Sequence, residues 1–235
     1  LYPGGCCMKQ APPVPGRVDV ASIGEDRPLL EGIRTTLSIR RLRPEPVPPG
    51  LLRKVCEAGT FAPSGGNRQP WTFVAVTEPE RRAWVAERYR AAFDVYIAPA
   101  RKAAEAPDFP AARRRNIESA AWLSDHLHEV PVHLFVAGRL RRGDPQFQSV
   151  FPAIQNVLLA CRAVGLGACL TMLHLAHGRQ IDDYLGLAED NPSCALIAVG
   201  WPAVAYRRPV RKPVDEVLHF ERYRAADEKD AKKKI

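Results

Sequence analysis

The densest group of residues able to bind a small molecule lies at 62–71, which reads Ala-Pro-Ser-Gly-Gly-Asn-Arg-Gln-Pro-Trp. Gly65 and Gly66 allow backbone to come close to a flat ligand, because neither carries a Cβ. Asn67 offers both a donor and an acceptor to an amide-like edge. The same residues also suit an ordinary turn, so the pattern alone leaves a turn and a binding site both open.

Other common catalytic motifs are not found in this sequence. It contains no H-E-x-x-H, no G-x-S-x-G, no P-loop and no G-x-G-x-x-G after a strand. The six histidines are not paired at a spacing typical of metal ligands, so we expect them at the surface or in the core. We therefore predict no metal site.

Composition predicts a soluble chain with a core of its own. With 46% hydrophobic residues over 235 positions, a core can form without disulfides or metals. The longest apolar runs, 132–137 and 195–199, are far shorter than the roughly 20 residues of a membrane-spanning helix. The start of the chain lacks the pattern of a signal peptide. We therefore expect a protein without membrane contact.

Cysteine usage predicts a reducing, cytoplasmic compartment. The sequence has no C-x-x-C pair, and four of its six cysteines lie in apolar periodic segments. Free cysteines are commonly buried as small apolar residues. These four positions are Cys56, Cys161, Cys169 and Cys194.

The formal net charge of +8 raises the question of nucleic acid, because clustered Lys and Arg mark phosphate contacts. Here the basic groups are dispersed over separate segments, and they match no helix-turn-helix, zinc-finger or aromatic RNA-binding motif. We interpret them as solvated surface, or as attraction for anionic substrates or phosphorylated cofactors. A salt-sensitive nucleic-acid binder remains the alternative, and we predict no nucleic-acid partner.

Hydrophobic periodicity predicts the elements that must position the 62–71 segment. A helix begins at 48–49, where proline is tolerated in the first turn, and ends near Gly59. A strand, 71–76, follows the segment directly. The clearest helix opens at Pro152 and carries an apolar stripe as far as Val164. Further helices are predicted over 80–92, 117–127 and 181–185, and further strands over 132–137 and 195–199.

The order of these elements favours an α+β arrangement, because the strands do not alternate regularly with single helices. The Pro-rich and Gly-rich segment 1–28 predicts a flexible arm, and the charged segment 224–235 predicts a flexible tail. The domain would then cover 29–223. Within it, the broken pattern at 99–110 is a candidate lid, and 214–220 is either an edge strand or an arm reaching a partner.

Several segments together resemble the nitroreductase family of FMN-dependent flavoproteins, over about 33–223. Two of them are similar to the family's flavin motifs, one to its long dimer-interface helix, and the rest to its C-terminal part. In that order, these segments are 38–44 and 63–71, 153–167, and 200–202 with 211–213.

The resemblance implies a nitroreductase-like α+β fold, with a central and mostly antiparallel sheet flanked by helices, in an intertwined homodimer that binds FMN. NADH or NADPH would reduce the flavin, and a small electron-poor acceptor, nitroaromatic or quinone-like, would reoxidise it in a ping-pong cycle. No catalytic side chain is expected, because the cofactor performs the hydride chemistry. Two alternatives stay open: a specialised reaction (dehydrogenation, dehalogenation or flavin fragmentation) and a flavin-binding protein without turnover.

The resemblance also assigns roles to residues outside the 62–71 segment. Ser38 and Arg40 would contact the ribityl chain and the pyrimidine edge of the flavin. Leu170 and Thr171 would approach the ring near its reactive nitrogen. Arg211 would meet the phosphate, which a guanidinium binds through two parallel hydrogen bonds.

Within the segment, the resemblance implies that Asn67 hydrogen-bonds the pyrimidine edge. The other positions would line the flavin, from the same subunit or from its neighbour: Pro63, Ser64, Gly65, Gly66 and Gln69.

One departure from the family's pattern concerns the phosphate. Members commonly carry Arg one or two positions before the motif serine, where this chain has Thr36 and Leu37. Losing one charge-assisted hydrogen bond would cost about 1.5–3 kcal/mol of binding free energy. Compensation is open among Arg34, Arg41 and Lys212.

Overall fold

Six α-helices and five β-strands lie in the part of the chain that the computed structural model describes, residues 11, 14, 16, 19–139 and 145–223. The helices are α1 (Leu29–Thr35), α2 (Pro49–Thr60), α3 (Pro79–Ala103), α4 (Ala111–His126), α5 (Val150–Ala163) and α6 (Gly178–Leu185). The strands are β1 (Leu42–Arg43), β2 (Trp71–Val76), β3 (Val132–Gly138), β4 (Gly167–Thr171) and β5 (Ser193–Pro202).

The strands form one antiparallel sheet with β5 at its centre. On one side, β5 pairs with β3, which in turn pairs with β2. On the other side it pairs first with β4, where Gly200 lies opposite Gly167, and then with β1, where Trp201 lies opposite Arg43. The predicted α+β class with a mostly antiparallel sheet is therefore confirmed.

Helices cover both faces of the sheet, which explains why β3 and β5 are apolar without alternation. Leu134 and Ile197 point to the face that packs on α2 and α5. Phe135 and Leu196, each next to one of these residues in its strand, point to the face that packs on α3 and α4. All four side chains are buried, and complete burial of such a side chain stabilises the fold by about 1.5–3 kcal/mol.

Helix boundaries follow local chemistry, with two differences from the sequence expectation. Helix α5 begins two residues before Pro152, because backbone N–H groups in the first turn need no intrahelical acceptor and proline is tolerated there. Helix α3 continues beyond residue 92 and passes through Pro99. Proline has no backbone N–H, so the carbonyl of Val95 receives no helix hydrogen bond from position 99. Val95 lies at the surface, whereas Phe93 and Ile97 are buried on the other side of the helix.

Strand β4 was not predicted, because its five residues carry no clear alternation; it is held by pairing with β5 along its whole length. Two predicted features lie wholly or largely outside the described residues, namely the tail 224–235 and much of the arm 1–28. Across the described ranges, no helix has the length and apolar character needed to cross a membrane. Among the described residues, Cys56, Cys161, Cys169 and Cys194 form no disulfide bond.

Candidate functional site

The loop between α2 and β2, residues 63–70, is here called the polar loop. Its backbone enters the left-handed region at Gly66, Asn67 and Gln69, with φ of 58°, 52° and 49°. Glycine adopts this conformation freely and asparagine tolerates it, but for glutamine it is strained. Such an outlier persists only where surrounding contacts hold it, so the loop is constrained rather than a simple turn.

Three hydrogen bonds to side-chain oxygens hold this shape, in addition to backbone hydrogen bonds within the loop. The backbone N–H of Gln69 donates to Oγ of Ser64 at 3.0 Å, and its side-chain amide donates to Oδ1 of Asn67 at 3.3 Å. The N–H of Gly65 donates to Oγ of Ser149, just before α5, at 3.3 Å. Pro63, Gly65, Gly66, Asn67 and Gln69 are nevertheless exposed. The loop therefore presents polar groups that are already positioned.

A second group of predicted residues lines a cavity of about 300 Å³, here called the cationic cavity. Ser38 and Leu170 contribute to its wall, and Arg211 reaches it from the segment after β5. Segment 35–39 is held beside β4 by a bond from the N–H of Ile39 to the carbonyl of Ala168 at 2.9 Å. Arg162 of α5 also lines this cavity, so the cavity wall contains two guanidinium groups, those of Arg162 and Arg211.

Arg40 and Thr171 line a second cavity, of about 380 Å³, here called the aromatic cavity. Its walls include Tyr89, Phe93 and Tyr96 of α3. Leu170 lines both cavities, so the two adjoin across the end of β4. Five of the predicted residues thus lie on two neighbouring cavities, and these are Ser38, Arg40, Leu170, Thr171 and Arg211.

Hydroxyl groups at the aromatic cavity form a short chain. The hydroxyl of Tyr89 is hydrogen-bonded to Oγ1 of Thr171 at 3.1 Å, and that oxygen accepts the N–H of Leu173 at 3.4 Å. Burial raises the pKa of Tyr89 to about 12, against the lowering effect of its bond to Thr171. At neutral pH the tyrosine therefore stays protonated and can act as a hydrogen-bond donor.

Cys169 lies beside the predicted residues Ser38 and Arg40, but its thiol is not suited to catalysis. Burial raises the pKa of its thiol, against the charge of Arg40 and hydrogen bonds with Ser38 and Arg40. The thiol therefore stays protonated, and a protonated thiol is a poor nucleophile. Across the described ranges, no cluster of three or more His, Cys, Asp or Glu side chains could hold a metal ion.

The polar loop is not brought to either cavity within one chain. Pro63, Ser64, Gly65, Gly66, Asn67 and Gln69 are missing from the residues that line the cationic and aromatic cavities. The structure therefore places the predicted site residues in two groups, one on the cavities and one on an exposed loop.

Sequence reasoning missed three residues of the cavities, namely Tyr89, Arg162 and Tyr206. Arg162 had a signal in the sequence, because it is a charged residue within the apolar segment that forms helix α5. The structure leaves it only 6% exposed. Tyr206 had none, since it lies in an irregular segment after β5 and is buried only by tertiary contacts.

The cationic cavity fits the phosphate end of a flavin nucleotide, and the aromatic cavity fits its ring end. The paired guanidinium groups of Arg162 and Arg211 suit a phosphate, and the side chains around Tyr89 and Phe93 suit an aromatic ring. An FMN molecule spanning them would pass Leu170 and segment 38–40.

Comparison with known proteins gives a consistent result. The nitroreductase family matches residues 33–201 of this chain. A protein named NADH dehydrogenase from Thermus thermophilus is 32% identical over 199 aligned residues, and the match covers 77% of this chain and 90% of the relative. A 5,6-dimethylbenzimidazole synthase from Rhodobacter capsulatus is 27% identical over 175 residues, covering 74% of this chain and 83% of the synthase.

Among solved structures, a variant of the FMN and NADPH-dependent nitroreductase NfnB from Sphigopyxis sp. strain HMH superimposes with a TM-score of 0.65. The two chains are 25% identical, and the match covers 84% of this chain and all of the other.

Proposed function

This chain belongs to the nitroreductase family, and we propose that it is an FMN-dependent oxidoreductase that passes electrons from NADH or NADPH to a small acceptor. The observation that carries the proposal is the adjoining pair of cavities, one with two guanidinium groups and one with aromatic walls. Bound FMN supplies the hydride transfer. The protein then has to bind, orient and shield it.

Four side chains on the cavities have a task in this proposal. Arg211 neutralises the phosphate, Ser38 offers a hydroxyl to the ribityl chain, and Arg40 places a positive charge near the pyrimidine edge. A fixed charge there stabilises the negative charge that the ring acquires on reduction. Thr171, held by Tyr89 at 3.1 Å, presents an oriented hydroxyl beside the ring.

We propose that the working form is an intertwined homodimer, with the polar loop of one subunit completing the flavin site of the other. Support comes from the segment 207–223, here called the C-terminal arm, which is exposed almost throughout. Val210, Phe220 and Tyr223 on it are 96%, 72% and 76% exposed. An arm with that many free apolar side chains suits burial against a second subunit.

The acceptor is proposed to be small and electron-poor, nitroaromatic or quinone-like, because it must stack on the flavin within the aromatic cavity. One site would serve nicotinamide and acceptor in turn, which gives ping-pong kinetics. We further propose a cytoplasmic location, which the free cysteines support, and a domain over 29–223.

A specialised reaction of the same flavin is the second candidate. The similarity to a protein named 5,6-dimethylbenzimidazole synthase favours it, and the cavities described above are compatible with either reaction. A flavin-binding protein without turnover is the third.

The deciding experiment is a visible spectrum of the purified protein, before and after anaerobic addition of NADPH and, separately, NADH. We expect flavin bands that either nicotinamide bleaches, with the released cofactor identified as FMN by chromatography. Free FMN with the same nicotinamide is the control for direct reduction. Bound flavin that neither nicotinamide bleaches would favour the second or third candidate, and a colourless protein that takes up no FMN would refute the proposal.

A further inference from the structure

Arg162 of α5 is a buried cation with an unused donor. Its side chain is only 6% exposed, yet Nη1 has no hydrogen-bond partner among the described residues. No carboxylate in the described ranges forms an ion pair with it, and the nearby Glu31 pairs instead with Arg208 at 2.8 Å. Burying an unpaired charge is costly, so a ligand that supplies negative charge would relieve that cost.

The guanidinium is also held rigidly. Its Nε donates to Oγ1 of Thr35 at 2.8 Å, and that hydroxyl in turn donates to the carbonyl of Glu31 at 2.7 Å. The guanidinium carbon lies 3.9 Å from the ring centre of Tyr206, over its face. These contacts use Nε and one flat face, and they leave the Nη groups to the cationic cavity that Arg162 lines.

Tyr206 adds a second unused donor at the same place. Its hydroxyl is buried and has no partner within the described part of the chain, and its side chain also lines the cationic cavity. Burial raises the pKa of this hydroxyl, so it remains protonated and able to donate. Two orphaned buried donors on one cavity are rare in a folded protein and point to a missing acceptor.

Segment 35–39 does not supply a cation of its own. Thr36 stands on the wall of the cavity and its hydroxyl is already used, donating to the carbonyl of Gly32 at 2.7 Å. Leu37 beside it is apolar. The positive charge on this wall comes instead from α5.

We propose that Arg162, with the hydroxyl of Tyr206, binds the phosphate of FMN and replaces the cation that segment 36–37 lacks. This inference rests on the proposed flavin site and goes further by naming the group that discriminates FMN from riboflavin. Arg211, which is exposed and donates to its own neighbour Val210 at 3.0 Å, then closes the phosphate from the solvent side.

The test is a fluorescence titration of the flavin-free protein with FMN and, in parallel, with riboflavin, which lacks only the phosphate. We expect Arg162→Met to weaken FMN binding about ten- to a hundredfold, the range for loss of one or two charge-assisted hydrogen bonds. Riboflavin binding should change less than about twofold. Tyr206→Phe should show the same selectivity with a smaller loss.

Arg88→Met is the matched control. Arg88 is half-buried, and like Arg162 it stacks on an aromatic ring, with its guanidinium carbon 3.6 Å from the ring centre of Trp84; it lines neither cavity. Both flavins should bind this variant as they bind the parent protein. Arg162→Lys keeps the positive charge but loses the paired donors of the guanidinium. It should fold even if the methionine variant does not, and it should retain part of the preference for FMN.

Equal weakening of FMN and riboflavin in Arg162→Lys and Arg162→Met would overturn the inference and indicate a structural role for Arg162. An unchanged affinity for FMN would also overturn it. If NADPH bound more weakly in the same variant, Arg162 would contact a phosphate of NADPH instead. If the parent protein binds neither flavin, the proposed function itself fails, and that result is distinct from both.

Discussion

The cavity walls and the polar loop carry the two halves of the candidate site, and they are held in different ways. Leu170 and Thr171 end a strand that pairs along its whole length with the buried strand β5. The polar loop is mostly exposed, and its shape depends on local hydrogen bonds and three left-handed residues. Burial fixes the first half, whereas local hydrogen bonding fixes the second.

This difference teaches how the site would respond to change. Disturbing the walls should reduce both the stability of the fold and the binding of flavin, because the same contacts serve both. Disturbing the polar loop or the C-terminal arm should leave the core folded, change its stability little, and mainly affect what those surfaces bind.

The largest effect is expected from the C-terminal arm. Replacing Val210, Phe220 and Tyr223 together by serine should convert the proposed dimer into a monomer, because three apolar side chains would lose about 4 kcal/mol or more of interface burial, a thousandfold in Kd. Analytical ultracentrifugation would measure it, with exposed Val95→Ser on α3 as the control. A dimer of unchanged stability would show that the arm does not form the interface.

A wall substitution should be next in size. In Gly167→Ala, the new Cβ would lie 2.7 Å from Cδ2 of Leu42 and 3.0 Å from Cγ2 of Ile39. We expect the free energy of unfolding to fall by about 2 kcal/mol, and FMN affinity to fall with it because Ile39 lies between Ser38 and Arg40.

Gly178→Ala is the control for that substitution, since a Cβ there would meet nothing within 4 Å. Urea unfolding and flavin titration of both variants would check the coupling. A destabilised Gly167→Ala with normal FMN affinity would separate the stability of the wall from binding.

The third prediction concerns a buried histidine of the core that lies in neither half of the candidate site. Burial lowers the pKa of His133 on β3 to about 4, while its Nε2 is bonded to the carbonyl of Leu127 at 2.7 Å. The unfolded chain takes up a proton near pH 6.5 and the folded chain resists it, so stability is greatest above 6.5 and falls as pH drops towards 4.

Between pH 7 and 5.5 we expect this histidine to remove about 1 kcal/mol from the free energy of unfolding. Urea unfolding of the parent and of His133→Gln at both pH values would measure the contribution. The same pH dependence in both proteins would mean that other groups cause it.

The smallest effect is expected in the polar loop. Gln69→Gly should stabilise the fold by about 0.5 kcal/mol, because relief of left-handed strain slightly exceeds the added entropy of the unfolded chain and the loss of the exposed side-chain hydrogen bond to Asn67. Arg68→Gly is the control, since Arg68 has an ordinary φ of −73° and glycine there should destabilise. Differential scanning calorimetry would measure both, and a destabilised Gln69→Gly would show that relief of strain does not outweigh these two costs.

Much of the fold follows from the sequence because periodicity reports which side of an element is buried. The helix near Pro49–Thr60 and the strand Trp71–Val76 were predicted closely, and α6 ends at the predicted position, where Gly186 adopts a left-handed φ of 72°. The resemblance at 38–44 and 63–71 predicted the family, which the comparisons confirm. The roles of the individual site residues remain predictions.

Only the tertiary structure brought Arg162 to the cavity of Ser38 and Arg211. Its bond to Thr35 joins residues 127 positions apart, and no local pattern encodes such a contact. The same holds for β4, which exists because β5 offers it a partner, and for α3, which passes Pro99 because Phe93 and Ile97 are anchored in the core. Sequence periodicity determines which face of an element is apolar, whereas the packing of those faces against one another decides which distant residues share a site.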